Sequence, residues 1–70
     1  MNYLIVSVID NKEQLGSDSQ SIVKDAKNTV KLNNALKYFN PLRKPDEIRV
    51  YSFTNIYDEK TYRLIKTIIN

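Results

Sequence analysis

A chain of 70 residues, 41% hydrophobic and 27% charged, has room for one folded domain over 1–70 and not for two independent cores. It has no Cys and no His, which excludes disulfides, thiolate nucleophiles, thiolate-held metals and the usual general base. Its 11 Lys and Arg against 8 Asp and Glu give a net charge of +3 and a pI near 9.3, a mild basic excess that opens the question of a nucleic-acid partner.

The first element is a strand. Tyr3 to Ile9 is rich in β-branched residues and ends at Asp10-Asn11. Both parities are apolar, Leu4, Val6 and Val8 on one side and Tyr3, Ile5 and Ile9 on the other, so the strand is expected to be central and covered on both faces. The same run is the longest apolar stretch, interrupted by Ser7, whereas a transmembrane helix takes about 20 apolar residues. No basic side chain precedes it in the manner of a signal peptide. The expected location is cytoplasmic, with no membrane partner.

Asp10 to Ser19 is a polar loop holding the only glycine, Gly16. Ser17 with Gln20 fits a capping box, and Asp18 suits the positive end of a helix dipole. A helix is therefore expected from about Ser19 to about Phe39, stopped at Asn40-Pro41. Its apolar positions do not form one stripe. Ile22, Val23, Ala26 and Val30 fall on one side, and Leu32, Ala35, Leu36 and Phe39 on a face rotated away from it. Either the helix breaks near Asn33-Asn34, or its two halves touch different surfaces.

Pro41 to Pro45 reads as a rigid connector. Ile48 to Phe53 is a second strand, with Arg49, Tyr51 and Phe53 on one face and Ile48 and Val50 on the other. The last segment has two readings. As a helix after Asn55 it carries Tyr57, Thr61, Leu64, Ile65, Ile68 and Ile69 at helical spacing. As a hairpin it turns at Asp58 to Thr61 and returns as a strand over Tyr62 to Ile69, which its β-branched content favours. The expected fold is a small α/β (α+β) two-layer domain in the order β-α-β-α, with β-α-β-β, a three-stranded sheet under one helix, as the alternative. Two strands joined through a helix are expected to run parallel.

Few residues suit chemistry. Asp10, Glu13 and Asp18 cluster around the first loop, but their spacing fits no metal-binding template, and a solvated loop explains them. One glycine cannot build a phosphate-binding loop. No catalytic residues, metal or cofactor are expected. Lys24, Lys27 and Lys31 share a face of the predicted helix, Tyr38 extends the line, and Arg43 and Lys44 follow in the connector. Such a stripe could track a phosphate backbone, or simply keep a helix soluble. Arg49, Tyr51 and Phe53 resemble a stacking platform for single-stranded nucleic acid, though the same pattern packs cores. Five tyrosines exceed what one small core hides, and tyrosine favours interfaces.

The expected function is that of a non-enzymatic protein-binding module: a small modulator or inhibitor of a larger protein, of the kind phages and other mobile elements carry, self-associating as a homodimer. A larger partner that itself handles nucleic acid would suit the basic stripe. The alternative is direct nucleic-acid binding through the lysines and the Tyr51/Phe53 face.

Overall fold

Every β-rich stretch of the sequence ends up in one antiparallel sheet. The computed structural model describes residues 1–69 and places strands β1 (Asn2–Ile9), β2 (Lys12–Glu13), β3 (Gln20–Val23), β4 (Glu47–Phe53) and β5 (Arg63–Ile69) in it, with one helix, α1 (Thr29–Tyr38). The order is β2-β1-β4-β5, and β3 also pairs with β1. β4 runs along one edge of β1 from Asn2 to Val8, so β2 and β3 share the other edge, end to end. β1 is central, as its two apolar parities required.

β1 and β2 are joined by Asp10-Asn11, both with positive φ (51° and 63°), the sign pattern of a type I′ two-residue hairpin. Asp and Asn tolerate that region better than other non-glycine residues. The Asp10 backbone N–H also donates to Asp46 Oδ2 at 2.7 Å.

The long helix expected over Ser19–Phe39 does not form. Ser17–Ser19 makes one 3₁₀ turn without a side-chain cap, so the Ser17/Gln20 capping box is not used; Gln20 Nε2 donates instead to the Gln14 carbonyl at 3.0 Å. Ile22 and Val23 then lie in β3 and complete an edge of β1. β-Branched residues fit a pleated surface, and pairing with β1 satisfies backbone groups that a helix would have to satisfy alone. The chain turns at Asp25 (φ 56°), and α1 begins only after Asn28, whose side chain accepts from the Val30 N–H at 3.0 Å. The two apolar faces of the sequence thus belong to two elements. Val23 and Ala26 reach the core from β3 and its extension. Leu32, Ala35, Leu36 and Phe39 reach it from α1 and its C-cap, with Asn33 and Asn34 inside an unbroken helix.

β4 is antiparallel to β1, not parallel as expected. The inserted β3 is the reason. It reverses the chain before α1, so the crossover joins β3 to β4, which run the same way on either side of β1, and carries the helix onto the core cluster. The core on that face is Tyr3, Ile5, Val23, Ala26, Leu32 and Val50.

The last segment is a strand, which overturns the helical reading. Its β-branched residues prevail over the helical spacing because β4 offers a full free edge. The linker is longer than a tight hairpin: β4 stops at Phe53, and Asp58 caps a 3₁₀ turn at Glu59–Thr61. The result is a small α+β domain, a five-stranded antiparallel sheet with one covering helix. No helix among the described residues is long and apolar enough to cross a membrane.

Candidate functional site

The face of the sheet away from α1 carries the main cluster of polar side chains. Arg49 on β4 donates to Glu47 on its own strand and, through a second nitrogen, to Glu13 on β2 at 3.1 Å; a third nitrogen donates to Asn11 Oδ1 at 3.1 Å. The Tyr51 hydroxyl donates to the same Glu13 carboxylate. β1 lies between β4 and β2, so these contacts bridge over it. Beneath them Val6 and Val8, at 0% and 1% exposure, are as well buried as the residues under the helix. The Arg49 guanidinium is held above its ordinary value, first by the Glu13 hydrogen bond and then by Glu47. Tyr51 is also raised, chiefly by burial and then by its bond to Glu13.

Beside this cluster the 54–62 linker folds back over the sheet. The Tyr62 ring stacks on Phe53 (5.0 Å between centroids, 17° between planes) and meets Tyr51 edge to face at 6.2 Å and 71°. Its hydroxyl donates to the Ile56 carbonyl at 2.9 Å, which pins the ring. Between the linker and the β1–β3 side lies an open cleft of about 500 Å³ lined by Leu4, Glu13, Leu15, Gln20, Tyr51, Ile56, Glu59 and Tyr62.

The expected binding residues are divided. Arg49, Tyr51 and Phe53 do share a face, but Phe53 is only 5% exposed beneath Tyr62, so no open aromatic platform exists. Arg49 is committed to carboxylates. Lys24 and Lys27 precede α1, and only Lys31 lies in it, so the helical lysine stripe is not formed. Lys31 Nζ instead donates to the Lys24 carbonyl. Tyr38 is exposed at the end of α1, where Lys37 lies 5.6 Å from its ring, and Arg43 and Lys44 are exposed in the connector. Asp10, Glu13 and Asp18 do not converge. Among the described residues no group of three acidic side chains could hold a metal ion.

A second feature is the open edge of β5. Leu64, Ile65 and Ile69 are 53%, 50% and 78% exposed. The opposite edge of the sheet is made of strands of two and four residues, whereas β5 presents seven. Sequence reasoning missed Glu13 and Tyr62 as partners of Arg49, Tyr51 and Phe53. Nothing local marks contacts that cross two strands or depend on a linker folding back. Comparison with protein-family models, with curated proteins and with solved structures gives no match.

Proposed function

We propose that this protein is a non-enzymatic interaction module that works by strand pairing at the β5 edge, with a second copy of itself as the partner. One observation carries the reading: the longest open edge of the sheet is also its most exposed apolar strand. Such an edge is a template for another strand, and soluble proteins ordinarily shorten, cover or charge it.

The pattern of β5 supports a second copy. The strand is irregular at one point: Val50 faces Lys66 and Tyr51 faces Leu64, leaving Ile65 as the extra residue of a bulge. Pairing two antiparallel copies about Lys66 would set like charges directly opposite, which is unfavourable. Pairing about Thr67 sets Thr67 against Thr67, Ile65 of one copy against Ile69 of the other, and Lys66 against Ile68. Each matched pair contributes about 0.2–1 kcal/mol, and the bulge and Lys66 disfavour other registers. The composition supports a binding role over catalysis, since the chain carries no His or Cys to act as base or nucleophile. The nucleic-acid reading loses the two features it stood on, the helical lysine stripe and the aromatic platform.

Sedimentation equilibrium tests the proposal. The wild type is expected to be a dimer, and Thr67→Glu to weaken it at least about tenfold, or ~1.4 kcal/mol. Thr67 lies on the open strand opposite Arg49 of β4, and a glutamate there sets like charges directly opposite each other in the pair. A wild type that stays monomeric at about millimolar concentration overturns the reading, as does a Thr67→Glu variant that dimerises unchanged.

A further inference from the structure

The cleft beside the Arg49 cluster has walls of an unusual combination. Tyr51 and Tyr62 meet at 71° and both line it, which places two tyrosine rings at a steep angle around one space. Tyr62 is fixed by the Phe53 ring stacked on one face and by its hydroxyl bond to Ile56, so the arrangement exists before any ligand arrives. Leu4, Leu15 and Ile56 supply apolar wall, and Glu13 and Glu59 supply negative charge. Glu13 is balanced by Arg49, but Glu59 makes no ion pair among the described residues. Arg49 does not line the cleft.

We propose that this cleft binds an organic ammonium ion, a bulky and weakly hydrated cation such as a quaternary amine. Aromatic faces attract cations through the ring quadrupole, and quaternary ammonium groups are the ligands that aromatic cages commonly take. The apolar walls suit methyl groups around the nitrogen and oppose a small, strongly hydrated ion. A divalent metal would need several oxygen ligands, and the cleft offers two carboxylates, one of them already bonded to Arg49 and Tyr51. The proposal is independent of β5 pairing. The ammonium could come from a free small molecule or from a methylated lysine side chain of a protein, and the chemistry is the same.

The test is an NMR titration of the full chain with choline, with a short trimethyllysine peptide, and with dimethylbutanol, the uncharged carbon isostere of choline. Choline is expected to shift resonances of Tyr51, Tyr62 and Leu15, and dimethylbutanol to bind at least about fivefold more weakly. Tighter binding of the peptide than of choline assigns the site to a side chain; equal binding assigns it to the free cation. Tyr62→Leu should abolish the shifts. Glu59 is exposed on a 3₁₀ turn and makes no ion pair among the described residues, and Glu59→Gln should weaken choline binding about threefold or more. Equal affinity for the charged and uncharged ligands, or no shift at the tyrosines with either cation, overturns the proposal.

Discussion

The two faces of the sheet are closed by different means. Under α1, Tyr3, Ile5, Val23, Val50 and Leu32 belong to one buried cluster, and water is excluded mainly by apolar packing. On the other face, which α1 leaves open, Val6 and Val8 are as deeply buried, yet the roof over them is Arg49, Glu13, Glu47 and Tyr51. A chain with one helix can therefore bury both faces of its central strand. The second roof is made of long side chains whose stems cover apolar surface while their polar ends pair with one another. The helical face rests on area and fit; the polar face rests on hydrogen-bond geometry and is the one sensitive to pH and salt.

Three changes sharpen that contrast. The largest effect belongs to the helical face. Ile5→Ala removes a fully buried side chain from the centre of the core and is expected to cost about 2–5 kcal/mol in denaturant unfolding. A loss under about 1 kcal/mol would mean that α1 does not pack tightly on the sheet.

A smaller and pH-dependent effect belongs to the polar face. Tyr51 is raised above its ordinary value of 10.0 in the folded chain. Above that pH the unfolded chain loses the phenol proton while the folded chain keeps it. Stability present below the ordinary value therefore falls as pH rises towards the folded one. Tyr51→Phe should flatten this alkaline limb, whereas Ile5→Ala should lower the whole curve and leave its slope intact. An unchanged alkaline slope in Tyr51→Phe would remove Tyr51 from the pH response.

The smallest effect tests Ser7, which strand alternation places on the same side of β1 as Tyr3 and Ile5. Ser7 is buried, and its hydroxyl has no hydrogen-bond partner among the described residues. Ser7→Ala is expected to leave thermal stability unchanged or raise it by up to about 1 kcal/mol, because it removes an unpaired buried donor. A clear loss of stability would show that the hydroxyl is paired.

Much of the polar face was legible in part. The alternation of Arg49, Tyr51 and Phe53 placed them on one face correctly, since a strand repeats every two residues. Their partners were hidden. Glu13 lies 36 residues from Arg49 in sequence, and Tyr62 reaches Phe53 only through the folded linker. The expected first helix failed for a related reason. Ser17, Asp18 and Gln20 are genuine cap signals, but a cap contributes only about 0.5–2 kcal/mol. Four residues of β3 paired along β1, with Val23 in the core, outweigh it.

By itself the sequence determined β1, the proline connector and β4, because β-branched runs bounded by turn residues have little competing structure. It also determined that β1 is apolar on both sides and that Arg49, Tyr51 and Phe53 share one side of β4. The tertiary structure decided the rest: that Ile22 and Val23 pair with β1 instead of opening a helix, that residues 63–69 extend the sheet, and that β1 and β4 run antiparallel. Those choices turn on whether a free strand edge is within reach. An edge exists only once distant parts of the chain have come together, so local propensity carries no record of it.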